Sequence, residues 1–196
     1  MTMPDTGQSH EPLRVLFLCT ANAARSQIAE ALLTKKGAGR FVTASAGELP
    51  ASAVHPMAVD ALREYGIDWS ERSPKGLEAV VAEPWDFVIT VCERAKEQCP
   101  AIPGTPVYAD WGVEDPTIID DEARRWFAFR RTVQQLARRI DLMLAVSMEK
   151  LARQAQDDEL RGIGRSPESD GSTTIGPANA GTVTDTQPVA PISPPP

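Results

Sequence analysis

Short, almost continuous apolar runs alternate along the chain with segments of helical period. Apolar runs occupy Leu13–Cys19 and Phe87–Cys92, and shorter ones occupy Phe41–Ser45 and Pro106–Ala109. Runs of this length and character are typical of strands that are buried on both faces of a parallel sheet. The pattern therefore predicts four strands in one parallel sheet.

Helix-forming segments fill the intervals between these strands. We predict helices at Arg25–Lys36, Pro56–Tyr65 and Gly76–Ala82. Gly37 follows the first and Gly66 the second, as glycine often does where a helix stops. Regular alternation of strands and helices is typical of an α/β fold, a parallel sheet flanked by helices. Ligands in such folds bind at the carboxyl ends of the strands.

A longer helical pattern begins at Asp121. Apolar residues recur there every three or four positions, which predicts a helix packed against the sheet. The stripe consists of Trp126, Phe129, Val133, Leu136, Ile140, Leu144 and Met148. It continues to Leu151, and this surplus length is a candidate contact with another subunit.

Composition divides the chain into three parts. We expect a disordered leader at residues 1–12, one domain at 13–160, and a disordered tail at 161–196 rich in Pro, Ser, Thr and Gly. From Ser166 onward there is no aromatic residue, no Lys or Arg, and seven of the seventeen prolines. Such a segment cannot bury enough apolar area to offset its ordering entropy.

Charge, cysteine and histidine content exclude several classes of protein. The 196 residues carry a net charge of −7, which argues against nucleic acid or an anionic membrane as partner. Three cysteines and two histidines, without a Cys-x2-Cys pair, favour neither a disulfide framework nor a metal site. We therefore expect no metal or other cofactor, no membrane span, and a cytoplasmic location in which thiols stay reduced.

The chemistry of the chain is concentrated where the first strand meets the first helix. Cys19 ends the strand and Arg25 opens the helix, followed by Ser26. The loop between them is Thr20, Ala21, Asn22, Ala23 and Ala24. Backbone N–H groups of such a loop, with the positive end of the helix dipole, bind an oxyanion and lower the pKa of a cysteine.

Side chains at both ends of the loop add to the same field. The guanidinium of Arg25 can hold two oxygens of one anion, and the hydroxyl of Ser26 can donate to the sulfur. A cysteine and an arginine at this spacing form a weak pattern alone, and a buried strand-end cysteine is often inert. The strand–loop–helix setting is the context that the motif requires, and it favours a nucleophilic Cys19.

These motifs resemble the low-molecular-weight tyrosine phosphatase superfamily and, within it, the thioredoxin-coupled arsenate reductases. The resemblance runs from about residue 13 to 140. Besides the loop it rests, in order, on Ser45-Ala46-Gly47, Gly66-Ile67-Asp68, Val91-Cys92, Cys99-Pro100 and Asp115-Pro116. It implies the fold of that superfamily, with Cys19 as nucleophile, Arg25 as the oxyanion ligand and Asp115 as general acid. Trp111-Gly112 is a candidate hinge for the segment that carries Asp115.

Cys92 and Cys99 distinguish two enzymes of this kind. The resemblance implies that Cys92 attacks a Cys19–arsenic adduct, that Cys99 then attacks Cys92, and that thioredoxin or another thiol reductant reopens the disulfide. If residues 93–98 were helical, the two cysteines would lie about 10.5 Å apart along the axis. A disulfide needs Cα atoms within roughly 7 Å, so we predict a helix that unwinds on oxidation.

Three functions remain open from the sequence. The first is arsenate reduction, which uses all three cysteines. The second is hydrolysis of phosphate monoesters through a Cys19 phosphocysteine, which needs only Cys19, Arg25 and Asp115. The third is an oxyanion-binding or redox-sensing protein without turnover, against which the intact set of reactive residues argues.

Overall fold

The computed structural model describes residues 11–92, 102–146 and 154. The strands are β1 (Leu13–Cys19), β2 (Phe41–Gly47), β3 (Phe87–Thr90) and β4 (Val107–Asp110). The helices are α1 (Arg25–Lys36), α2 (Pro56–Glu64) and α3 (Glu122–Ala145), with single 3-10 turns at Leu77–Ala79 and Pro116–Ile118.

The four strands form one parallel sheet in the order β2-β1-β3-β4. In the register of the central pairs, Cys19 lies opposite Gly47 on β2, and Leu18 lies opposite Thr90 on β3. All carboxyl ends therefore meet at one edge, as the alternation of strands and helices predicts. The α/β fold with a helix-flanked parallel sheet is confirmed.

Alternate residues of β1 enter two separate apolar cores. Val15 and Phe17 pack with residues of α1, α2 and α3 on one face, whereas Leu16 and Leu18 pack with Trp85 on the other. Each of these four side chains is at most 1% exposed. Burial of such side chains stabilises the fold by roughly 1.5–3 kcal/mol each, which makes β1 the rigid base of the loop that follows it.

The helix predicted at Gly76–Ala82 is wrong, because only the 3-10 turn Leu77–Ala79 forms there. Pro84 has no backbone N–H to continue a helical ladder from the carbonyl of Val80, which instead accepts the indole Nε1 of Trp85 at 2.8 Å and the backbone N–H of Glu83 at 3.2 Å. Pro84 further disfavours helical backbone at the residue before it. The chain turns here to cover the second face of the sheet.

The long helix α3 begins as predicted and ends earlier than its apolar stripe. Its N-cap is Asp121, whose Oδ1 accepts from the backbone N–H of Arg124 at 2.7 Å. Its last residue is Ala145, and Val146 has extended backbone. A continuous helix to Leu151 is therefore wrong.

Several sequence predictions concern residues that lie outside the described ranges. These are the leader up to residue 10, the segment 93–98 with Cys99, the positions Met148 and Leu151, and the tail at 161–196. Among the described residues, none of the helices combines the length and the apolar character needed to span a bilayer.

Candidate active site

The loop after β1 is held from outside through its carbonyl groups. The carbonyls of Thr20, Ala21 and Ala23 accept the backbone N–H groups of Leu49, Ala51 and His55 at 2.9, 2.9 and 2.8 Å. Because the carbonyls bond outward, the amides are free to turn toward the sulfur. The N–H of Asn22 does so, at 3.2 Å from Cys19 Sγ. This arrangement suits an anion held over the thiol.

Asn22 fixes the shape of the loop. It is fully buried and has a positive φ of 48°, a conformation that Asn tolerates better than most residues. Its Nδ2 donates to the hydroxyls of Ser26 and Ser45, both at 2.8 Å. Its Oδ1 accepts from Gln27 Nε2 at 3.0 Å and from the backbone N–H of Lys75 at 2.7 Å. The side-chain amide thus joins α1, β2 and the segment before the first 3-10 turn.

A buried ion pair extends this network away from the loop. Ser45 Oγ donates to Glu30 Oε2 at 2.6 Å, and Lys75 Nζ lies 3.4 Å from the same oxygen. The Glu30 side chain is 4% exposed, so these partners offset the cost of burying its polar oxygens. Nothing in the sequence pattern indicates Lys75, which contributes to the site through both its backbone and its ammonium group.

Gly47 allows β2 to approach the loop closely. A Cβ at this position would lie 2.6 Å from the carbonyl oxygen of Thr20 and 2.7 Å from the backbone nitrogen of Asn22. Both atoms belong to the backbone and cannot move aside without distorting the loop. The glycine of the Ser45-Ala46-Gly47 motif is therefore a steric requirement of the site.

The thiol of Cys19 is buried and hydrogen-bonded. Its sulfur lies 2.9 Å from Ser26 Oγ. Burial raises the pKa of Cys19, while hydrogen bonds with Ser26 and the Asn22 backbone and the charge of Arg25 act in the opposite direction. The sequence predicts a lowered pKa, because it reveals the donors of the loop but not the depth of burial. In this structure the thiol is the favoured form.

Arg25 is bound to the segment that carries Asp115. This segment, residues 111–121 between β4 and α3, is here called the acid loop. Nη2 of Arg25 donates to Asp115 Oδ2 at 2.5 Å, and Nη1 donates to the carbonyl of Val113 at 3.2 Å. Asp115 Oδ1 also accepts from the backbone N–H and the hydroxyl of Thr117. Asp115 is therefore both a turn residue and the partner of Arg25, the predicted oxyanion ligand.

Cys92 lies at the same edge of the sheet as Cys19. It comes two residues after β3, is 3% exposed, and places Sγ 3.5 Å from the hydroxyl of Thr20. Within the described ranges, Cys19 and Cys92 both carry free thiols. A cavity of about 790 Å³ is lined by residues that include Thr20, Arg25, Cys92 and Asp115. The structure thus brings together the predicted site residues, except Cys99, which lies outside the described ranges.

Replacement of Asn22 tests the network that shapes the loop. Asn22→Gly keeps access to positive φ but removes the amide, so we expect phosphate binding to weaken about tenfold, since each lost hydrogen bond costs on the order of 1 kcal/mol. Asn22→Ala also imposes a left-handed alanine and should weaken binding further, by about 1–2 kcal/mol. Isothermal titration calorimetry with inorganic phosphate measures both, and wild-type affinity in either variant would contradict this role.

Replacement of Ser26 tests the balance that sets the pKa of Cys19. Below that pKa the thiol predominates, and alkylation of Cys19 accelerates as pH rises through it. Ser26→Ala removes a contribution that lowers the pKa. The alkylation profile with iodoacetamide should therefore move to higher pH, whereas Ser70→Ala, at an exposed serine, should leave it in place. A shift to lower pH would refute the assignment.

Comparisons with known proteins agree with this geometry. The sequence model of the family described as low molecular weight phosphotyrosine protein phosphatase matches residues 14–157. A protein of Halalkalibacterium halodurans named arsenate reductase is 35% identical over 127 residues, 64% of this chain and 91% of that protein.

Two solved structures resemble the chain in fold. The thioredoxin-dependent arsenate reductase of Corynebacterium glutamicum has a TM-score of 0.51 and 35% identity, covering 69% of this chain and 65% of that one. The low molecular weight protein tyrosine phosphatase of T. tengcongensis has a TM-score of 0.56 and 25% identity, covering 68% and 98%. The sheet, the loop from Cys19 to Arg25 and the match over most of the chain have one explanation: the chain belongs to the low molecular weight phosphotyrosine protein phosphatase family.

Proposed function

We propose that this protein reduces arsenate to arsenite through a relay of Cys19, Cys92 and Cys99, with thioredoxin or another thiol reductant as electron donor. The observation that carries the proposal is the free thiol of Cys92, 3.5 Å from Thr20 in the cavity that also contains Arg25. Hydrolysis of a phosphate ester needs no second thiol at this position. Relatives named arsenate reductase, one of them thioredoxin-dependent, support the same conclusion.

In the first step, Cys19 attacks arsenic while the loop amides and Arg25 hold the arsenate oxygens. Burial favours the thiol form of Cys19, so its proton must leave before attack. The bound arsenate dianion is the nearest base and accepts it. A second proton, which Asp115 takes up from solvent and passes on, lets one arsenate oxygen leave as water. Arg25 exchanges the Asp115 carboxylate for the arsenate oxygens, which frees Asp115 for this role.

The redox step then needs the second thiol. The sulfur of Cys92 attacks Cys19 Sγ and gives its proton to the departing arsenite, while the electron pair of the sulfur–arsenic bond passes to arsenic, which goes from the +5 to the +3 state. Arsenite leaves and a Cys19–Cys92 disulfide remains. Cys99 attacks Cys92 and releases the Cys19 thiolate. The external dithiol reduces the Cys92–Cys99 disulfide and is itself oxidised, which requires a reducing compartment such as the cytoplasm.

Hydrolysis of phosphate monoesters is a second candidate. Cys19, Arg25 and Asp115 meet at one site, and this set suffices to form and hydrolyse a phosphocysteine. The solved phosphatase of similar fold favours the same candidate. The two functions differ in whether Cys92 and Cys99 are needed.

A reductant-free single turnover separates the two functions. Fully reduced native protein should release about one arsenite per chain, and so should Cys99→Ser, because only Cys19 and Cys92 take part in that step. Cys92→Ser should release none, yet hydrolyse any aryl phosphate that the native protein hydrolyses. Arsenite is measured by chromatography coupled to mass spectrometry. Aryl phosphate hydrolysis without arsenite release from native protein would identify a phosphatase.

Asp115→Asn tests the role of the carboxyl group as acid. Turnover should fall by about 10²–10⁴-fold, the usual contribution of a general acid, while phosphate affinity does not weaken. Asp120→Asn, at an exposed position in the same acid loop, is the matched control and should retain native rates. Equal losses of kcat and of phosphate affinity in Asp115→Asn would reject the assignment.

A further inference from the structure

The acid loop is attached to α3 by arginine side chains. Arg139 donates to the carbonyls of Trp111 and Gly112, at 3.3 Å for the latter. Nearer the N-terminus of α3, Arg131 pairs with Glu114 of the loop. Arg125, in the first turn, donates to the carbonyls of Ile119 and Asp120 at 2.6 and 2.8 Å. Of these three arginines, Arg139 is the one that lines the cavity shared with Arg25 and Cys92.

Arg139 acts at the start of the acid loop, where a hinge was predicted. Trp111 donates its backbone N–H to Thr90 at 2.7 Å, and its ring centroid lies 6.0 Å from that of Phe17 in the core. With the carbonyls of Trp111 and Gly112 both held by one guanidinium, these residues are anchored to the sheet on one side and to α3 on the other. The geometry favours a fixed segment over a swinging one.

Arg25 and Arg139 both donate hydrogen bonds to the acid loop, but only Arg25 is also the proposed ligand of the oxyanion. Its two terminal nitrogens donate to Asp115 and to the carbonyl of Val113. An oxyanion bound by the same nitrogens takes these hydrogen bonds from the loop. Arg139 bonds carbonyls three and four residues before Asp115 and keeps them while Arg25 binds the anion. Like Arg125 and Arg131, it therefore remains a charged anchor during the reaction, and it is the one of the three that lines the cavity.

We propose that Arg139 is a positioning residue that holds Trp111 and Gly112, so that Asp115 stays beside the oxyanion when Arg25 turns to the substrate. For its effect on turnover the proposal rests on the proposed function. Its effect on the acid loop does not depend on any reaction.

The test compares Arg139→Gln with Arg138→Gln, the same change at the exposed neighbouring position of α3. Hydrogen exchange with mass spectrometry measures the exchange rates of the backbone amides in the acid loop. The amides of Gly112, Val113 and Thr117 are hydrogen-bonded and should exchange faster in Arg139→Gln than in Arg138→Gln or native protein. Unchanged exchange in Arg139→Gln would overturn the proposal.

Kinetics of arsenate reduction form the second part of the test. In Arg139→Gln, kcat should fall by about ten- to a hundredfold with little change in KM, since a misplaced group near the reacting atoms slows chemistry more than binding. Combined with Asp115→Asn, it should cause no further loss, because both changes disable one step. The proposal would be overturned if the losses of kcat in the two single variants multiplied in the double variant, or if Arg139→Gln kept the native kcat.

Arg139→Lys keeps the charge without the planar fork and covers the case in which Arg139→Gln does not fold. It should give exchange and rates between those of native protein and Arg139→Gln. If native protein reduces no arsenate, the proposed function fails while hydrogen exchange still tests the anchor, and the rates are then taken with p-nitrophenyl phosphate. Native protein inactive on both substrates would overturn the catalytic part of the proposal.

Discussion

The buried amide of Asn22 is the contact on which the site depends. A left-handed backbone at a non-glycine residue is unfavourable, and it persists here because four hydrogen bonds fix the side chain from three directions. Two of those bonds are local, to Ser26 and Gln27 at the start of α1, and two reach Ser45 on β2 and Lys75, which are distant in sequence. The shape of the loop therefore depends both on its own sequence and on the elements that pack against it.

The sheet contributes the second constraint. Because β1 and β3 are parallel neighbours, the residues after them lie side by side at the carboxyl edge. Cys92 and Thr20, the residue after Cys19, line the same cavity for this topological reason, although 72 positions separate them in the chain. A sheet order that placed another strand between β1 and β3 would separate the two thiols by roughly 5 Å more. The strand order is thus part of the chemistry.

The sequence predicts the parts of this arrangement that local pattern determines. β1, α1 and the start of α3 were predicted because apolar runs, helix formers and an apolar stripe at helical spacing lie within the elements themselves. The failed helix at Gly76–Ala82 precedes Pro84, and the carbonyl of Val80 there accepts the indole of Trp85, a contact that no periodicity reveals.

The same distinction separates the predicted site residues from the missed ones. Cys19, Arg25 and Asp115 belong to recognisable motifs, whereas Lys75 meets Asn22 across 53 positions and Arg139 meets Trp111 across 28. Such long-range contacts leave no local pattern. The pKa of Cys19 is a related case, because its direction depends on burial that only the folded chain determines.

The ion pair of Arg25 and Asp115 also limits which anions can bind Arg25, because an anion must displace the carboxylate. A carboxylate attached to the same chain competes at an effective concentration of millimolar or above, without any cost of association. Chloride, with one diffuse charge, cannot replace the hydrogen bonds that the Asp115 carboxylate makes with Arg25. A doubly charged tetrahedral oxyanion can, since it also gains the loop amides. Monovalent ions thus compete poorly for Arg25 against Asp115, the same side chain that the proposed function uses as an acid.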